Sequence, residues 1–258
     1  MPNRGGPRRP VALVTGAGRR IGIATATAIR LAETGWDVAT THFPAYDERM
    51  PWGVDRGATE DLLRTLSATG ARAFAMAADF ESVDSPGWVF EEVTQALGPV
   101  TALVIGHAES VDSAILDTDV ASFDRHFAVN ARASWLLIRE FGKRFAGPHG
   151  TGRIVALTSD ATIGNIPYGA SKAALDRIVL AAASEFADLG ITANCVNPGP
   201  IDNGWMSADL KDEIVAATPL GRLGAPTDPA NLIAFLCSAD GGWINRQLIK
   251  SNGGFASS

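Results

Sequence analysis

Tyr168 and Lys172 stand four residues apart. On a helix that separation sets both side chains on one face and brings an ammonium near a phenol. A neighbouring positive charge favours the phenolate, so the pair is expected to draw a reference pKa of about 10 toward working pH and make the tyrosine a proton donor or acceptor; an idle surface pair is the alternative the spacing alone leaves. A second grouping lies near the start of the chain. Gly16, Gly18 and Gly22 fall in Thr15-Gly-Ala-Gly-Arg-Arg-Ile-Gly, between a β-rich run and a helix-compatible one. Glycines let the backbone turn tightly against a pyrophosphate, and the free N–H groups at the helix start favour its charge. The spacing Gly-x-Gly-x-x-x-Gly is one residue longer than the usual dinucleotide fingerprint, and a tight structural turn is the alternative it leaves.

The ribose selector sharpens the choice of nucleotide. An acid about 20 residues past such a loop accepts from a 2′-hydroxyl, and that position here is His42. Arg19 and Arg20 instead offer planar forks of donors suited to a 2′-phosphate. NADP is therefore the expected cofactor, with NAD kept open by Asp47 and Glu48 in the following loop. A solvated loop is the plainer reading of the two arginines.

The elements that must position these residues follow a β–α rhythm, the pattern of βαβ units on a parallel sheet. Strands are expected at 11–15, 37–42, 71–77, 102–105, 153–158, 192–196 and 247–250, and helices at 21–34, 59–68, 87–97, 120–145, 171–189 and 229–238. Seven strands imply one α/β domain from 11 to 258, a doubly wound Rossmann fold with helices on both faces of a parallel sheet. The basic segment 1–10 is expected to be a frayed tail. Two connections, 43–57 and 198–226, are too long for plain turns and leave the carboxyl ends of strands, where open parallel sheets bind ligands. In the second, Trp205, Met206, Leu210 and Ile214 read either as an apolar lid or as a small surface helix with a buried face.

Composition narrows the class. The 258 residues are 46% apolar and 19% charged, which argues against disorder and coiled coil. Twenty-two Lys plus Arg against 28 Asp plus Glu give a net charge of −6 with no basic block, against a broad nucleic-acid footprint. Cys195 and Cys237 form no C-x-x-C pair, and neither a disulfide framework nor a metal site is expected. No signal-type apolar segment and no uncharged apolar run of 18 residues occurs, so a cytoplasmic protein without a membrane span is the expectation.

The ordered motifs resemble the short-chain dehydrogenase/reductase family, and within it the 3-oxoacyl-carrier-protein reductase-like branch. The resemblance runs from Val11 to Phe255. It rests on the Thr15–Gly22 loop, Asp79-Phe80, Asn130, Ser159, Tyr168-x-x-x-Lys172, Asn197-Pro198-Gly199, Pro219-Leu-Gly-Arg-Leu-Gly224 and Asn252-Gly-Gly254. It implies reduction of a ketone, such as a 3-oxoacyl thioester, or the reverse oxidation of an alcohol. Tyr168 would give the proton, Ser159 would hydrogen-bond the carbonyl oxygen, and Lys172 would hold the nicotinamide ribose and lower the tyrosine pKa. Asn130 would hold a water linking Lys172 to solvent. For the cofactor it implies Gly16, Arg19, Arg20 and Ile21 at the loop, Asp79 and Phe80 at the adenine, Gly106 at the fourth strand end, and Pro198, Gly199 and Ile201 beside the nicotinamide. It also implies a homotetramer, or a dimer, through 120–145 and 171–189, where Ala133, Ala181 and Ala183 suit close packing.

Four departures mark this chain. Arg20 takes the family's middle glycine, so its side chain must point away from the pyrophosphate or onto a phosphate. Ile105-Gly106-His107-Ala108 replaces Asn-Asn-Ala-Gly, with His107 either lining the site or satisfied at the strand end. The stretch from Ser159 to Tyr168 is short, which opens Thr158 or Asp160 as the hydrogen-bonding partner. Asn203 stands in for a threonine. These changes motivate a second reading, a nucleotide-binding sensor or assembly subunit with impaired turnover. A third, halohydrin dehalogenation, fits poorly with the glycine loop and with Lys172.

Overall fold

The computed structural model describes residues 9–161, 163–204 and 206–256. Most of the expected tail, together with Trp205 of the expected lid, lies outside the described residues. The strands are β1 (Val11–Thr15), β2 (Asp37–His42), β3 (Ala73–Ala77), β4 (Val100–Ile105), β5 (Arg153–Leu157), β6 (Thr192–Asn197) and β7 (Leu248–Lys250). They form one sheet in the order β3-β2-β1-β4-β5-β6-β7, every pairing parallel. The helices are α1 (Ile23–Glu33), α2 (Pro44–Arg49), α3 (Ala58–Ala68), α4 (Ser85–Ala96), α5 (Val120–His126), α6 (Ala133–Arg144), α7 (Ile166–Glu185), α8 (Ala208–Ala217) and α9 (Thr227–Cys237).

Alternation along the central strands assigns the helices to faces. Val11 and Leu13 of β1, Leu103 and Ile105 of β4 and Ile154 and Ala156 of β5 pack with Phe90 of α4, Phe141 of α6 and Val179 of α7. Their neighbours Ala12, Val14, Ala102, Val104 and Val155 pack on the other face with Leu31 of α1, Leu66 of α3 and Ile233 of α9. Both faces of these strands are buried, which is why they read as near-continuous apolar runs. Winding reverses direction between β1 and β4. At such a switch point the loops leaving the two carboxyl ends diverge and open a crevice.

Three local differences from the sequence reading bear on the site. The run 120–145 is not one helix: a π-helical turn, Phe127–Arg132, separates α5 from α6 and carries Asn130. Helix α7 starts at Ile166, not near 171, so Tyr168 and Lys172 share one helix from its first turn. Pro167 causes no break there, since the first helical residues need no N–H donor. Both long connections contain a short helix, α2 and α8. Helix α8 is capped by Ser207, whose hydroxyl accepts from the Leu210 N–H at 3.3 Å, and it buries none of its residues. No helix among the described residues is long and apolar enough to cross a membrane.

Candidate active site

Gly16 has φ +86°, and a Cβ built there would fall 2.7 Å from the His107 backbone, so the chain can turn off β1 against β4 only as glycine. Gly106, across the contact, would likewise meet the Thr15 carbonyl at 2.8 Å. The turn delivers the backbone to α1, which has no side-chain cap on its first N–H groups and no acid in its first turn. Unpaired donors at a helix start, beside a backbone with no Cβ in the way, form a cradle for a phosphate. The residues present therefore fit a dinucleotide pyrophosphate.

A cavity of about 880 Å³ runs from this turn to Tyr168 and Lys172. Of the residues singled out from sequence, its wall takes Gly16, Gly18, Arg19, Gly22, His42, Asp47, Asp79, Phe80, Gly106, His107 and Pro198 as well as the Tyr168–Lys172 pair. Arg19 crosses between loops, its guanidinium 4.7 Å above the Trp52 ring and donating to the Asn203 carbonyl at 2.6 Å. Arg20 turns away. Its guanidinium is ion-paired with Asp55 and Asp61, at the start of α3, and its N–H donates to Asp55 at 2.9 Å. Of the two orientations open to a side chain at this position, the structure shows the one directed away from the cavity. Ile21, half exposed, and Ile201, buried and bridged to Gly224, are not part of that wall, and neither is Gly199. Asn203, in the same connection as the expected lid, reaches the wall, whereas Met206, Leu210 and Ile214 of that lid do not.

Lys172 is 2% exposed, and its ammonium donates to the Leu157 carbonyl at 2.9 Å while lying 5.6 Å from the centre of the Tyr168 ring. Burial lowers its pKa to about 8, opposed by the nearby Asp176 carboxylate. The phenol does not behave as the spacing suggested: burial pushes Tyr168 up to about 12. Loss of hydration for the phenolate outweighs the lysine charge. Tyr168 is therefore a protonated donor at neutral pH.

Asn130 is fully buried and its amide is committed to positioning. Nδ2 donates to the Glu109 carbonyl and to Ser171 Oγ, both at 2.9 Å, and Oδ1 accepts from the Glu109 N–H at 2.8 Å. Ser171 Oγ donates in turn to the Tyr168 carbonyl at 2.7 Å. A π-turn widens the helix locally and aims this one side chain at both segments. Ser159 Oγ accepts from the Ala161 N–H at 3.1 Å, which leaves its proton to donate elsewhere. Thr158, not Ser159, contributes to the cavity wall.

His107 is 7% exposed and satisfied at both nitrogens. Nε2 faces the Val129 carbonyl at 3.0 Å and so carries the proton, and Nδ1 accepts from Thr15 Oγ1 at 2.7 Å. Burial and the Lys172 charge lower its pKa to about 3, so it is a neutral link between β1 and the π-turn. It also packs on Phe80, with centroids 4.3 Å apart.

Sequence reading placed the 43–57 connection at the ligand edge and singled out Asp47 there, which faces the cavity, but it missed Tyr46 and Arg49 of α2, Trp52 beyond it, and Glu109 and Ser110 of the β4–α5 segment, which face the cavity too. The length of the 43–57 connection was the signal that a wall stood there. A six-residue helix is too short to show periodicity.

Comparison with known proteins follows the same outline. Residues 16–256 match the family described as enoyl-(acyl carrier protein) reductase. An uncharacterized oxidoreductase of Bacillus subtilis is 35% identical, over 95% of this chain and 96% of its own. An NADPH-dependent aldehyde reductase-like protein of Arabidopsis thaliana is 34% identical, over 95% and 93%. A blue fluorescent protein from a metagenomic library, solved in complex with NADPH, superposes with a TM-score of 0.85 at 32% identity, over 97% and 99% of the two chains. Tyr168 and Lys172 on one helix, the glycine turn at the switch point and these relatives agree: the chain belongs to the short-chain dehydrogenase/reductase family of NAD(P)-dependent oxidoreductases.

Proposed function

We propose that this protein is an NADP-dependent reductase that converts a carbonyl compound, a ketone or 3-oxoacyl-type substrate, to the alcohol with Tyr168 as proton donor. The observation that carries the reading is the continuity of one cavity from the glycine turn to a protonated phenol beside a buried ammonium. The relatives described as NADPH-dependent, and the neighbour solved with NADPH, support the cofactor. Bound in this cavity, the cofactor would supply hydride from its nicotinamide. Backbone N–H groups at the start of α1 hold the pyrophosphate, Asp79 and the Phe80 backbone meet the adenine, and Gly106, Pro198, Gly199 and Ile201 shape the nicotinamide side. Lys172, with hydrogens beyond the one on Leu157, donates to ribose hydroxyls. Tyr168 donates to the carbonyl oxygen, and Ser159 donates beside it.

Arg20 is engaged by Asp55 and Asp61, so Arg19 is the guanidinium assigned to the 2′-phosphate. Titration should show NADPH binding more tightly than NADH, and Arg19→Ala should erase the difference. NADH binding as well as NADPH to the wild-type protein would overturn the assignment, and tight NADPH binding without turnover on a carbonyl panel would favour the sensor or assembly reading. Ser159→Ala should lower kcat by about 10²-fold, the scale of one lost oxyanion donor. Thr158→Val should leave kcat near wild type; the reverse ranking would move the donor role to Thr158.

The half-exposed Trp135 and Phe123, beside a shallow depression formed with Phe127, Ala131 and Ile178, support assembly as a homotetramer through α5–α7, which sedimentation would test. Two buried free cysteines, Cys195 and Cys237, suit a reducing cytoplasmic setting.

A further inference from the structure

Glu109 and Arg49 join two segments that the sheet order keeps apart. Arg49 ends α2, which follows β2, whereas Glu109 follows β4, and β1 with its glycine turn lies between those strands. Their side chains meet in a two-pronged pair, Nη1 to Oε1 at 3.1 Å and Nη2 to Oε2 at 3.0 Å. Both residues face the cavity. The link therefore spans the cavity from its β2 side to its β4 side, across the strand that carries the turn assigned to the pyrophosphate.

Each end of the link is built. The Glu109 carboxylate is 4% exposed, and its backbone is held on both sides by Asn130. Two residues on, the Val111 N–H donates to Nε2 of the fully buried His126 at 3.0 Å, so the β4–α5 segment is fixed at two points. On the other side the Arg49 guanidinium lies 5.5 Å from the Tyr46 ring centre, and the Tyr46 hydroxyl donates to the Ser110 carbonyl at 3.4 Å. A planar guanidinium pairing both oxygens of a nearly buried carboxylate is the strong geometry for such a contact.

We infer that Arg49 and Glu109 form a clasp that closes over the bound dinucleotide and slows its release. This rests on the cofactor reading above. The clasp is made entirely by protein groups, so it adds retention without adding a contact that distinguishes one nicotinamide cofactor from another. It also ties retention to the proton donor through hydrogen bonds already described, Glu109 to Asn130, Asn130 to Ser171 and Ser171 to the Tyr168 carbonyl. Glu109 and Arg49 act here as positioning residues.

The test is the dissociation rate of NADPH, followed by its fluorescence on displacement from wild-type protein, Arg49→Met, Glu109→Gln and the double variant. Each single variant should release NADPH about tenfold faster, and the double variant should release it no faster than the singles, because either change alone opens the clasp. Arg49→Met leaves a buried carboxylate unpaired. If that variant fails to fold, Glu109→Gln and the double variant still decide the matter, since neither carries that charge. Unchanged release rates, effects that multiply in the double variant, or a change confined to the association rate would overturn the clasp while leaving the cofactor reading intact. Failure of wild-type protein to bind NADPH would overturn the cofactor reading, and the clasp with it.

Discussion

Tyr168→Phe should lower kcat for carbonyl reduction by on the order of 10⁴-fold and leave cofactor affinity unchanged. The substitution removes one oxygen and keeps the ring. That ring is held independently of its hydroxyl: the Tyr168 carbonyl accepts from Ser171, and the Lys172 ammonium lies over the ring face. Phe at this position therefore keeps the packing of the first turn of α7 and the Lys172–Leu157 bond, and loses the proton donor alone. The size of the loss follows from the protonation state. With its pKa near 12, the phenol is protonated across the neutral range and ready to donate as negative charge develops on the substrate oxygen. Lys172, positively charged below about pH 8, faces the phenolate that donation leaves behind. Single-turnover measurement of cofactor oxidation, with affinity measured separately, separates the two effects. A loss below about 10²-fold would fall under what a positioned acid supplies and would place the donor elsewhere.

What the sequence disclosed, and what it concealed, follows from how far apart the interacting residues lie. Strands β1 and β2 were legible residue for residue, β1 because it is covered on both faces and its apolar run ends where the cover ends, and β2 because its β-branched Val38, Thr40 and Thr41 lie between the turn at Gly35 and the Pro44 that starts α2. Tyr168 and Lys172 were legible because helical spacing is local. Arg20 was not: its type fits phosphate, but its partners Asp55 and Asp61 lie 35 and 41 residues further on, and only the fold brings them to it. Glu109 gave no signal for the same reason, its partner Arg49 being 60 residues earlier. The π-turn at Asn130 was hidden in 120–145 because one added residue per turn barely disturbs an apolar pattern that continues on both sides. The direction of the Tyr168 shift was misread because spacing reports a neighbouring charge but not how much water has been lost.

Lys172→Met separates the two consequences of burying that ammonium, one for stability and one for turnover. The folded lysine has a pKa of about 8 against 10.5 for the unperturbed group. Between those values the unfolded chain holds a proton that the folded protein has released, so the wild-type protein gains stability as pH rises through that window. Below pH 8 both states are protonated and the fold carries the whole cost of the buried charge, about 3 kcal/mol. Methionine fills nearly the same volume without the charge, but it leaves the Leu157 carbonyl without its donor, at about 1–3 kcal/mol. The two terms nearly cancel at pH 7, where the variant should be about as stable as wild type. Toward pH 10.5 the wild-type protein alone recovers the burial cost, so the difference between the two should move in its favour by about 3 kcal/mol. Urea denaturation at pH 7 and pH 10.5 measures this directly. A difference that stays flat with pH would mean that Lys172 is not buried as an ammonium. Turnover should fall on the order of 10³-fold, because the charge facing the Tyr168 phenolate and the donors assigned to the ribose are lost together. A methionine that preserves the fold while removing the activity would show that the buried ammonium is retained for chemistry, since at pH 7 its bond to Leu157 only offsets the cost of burying it.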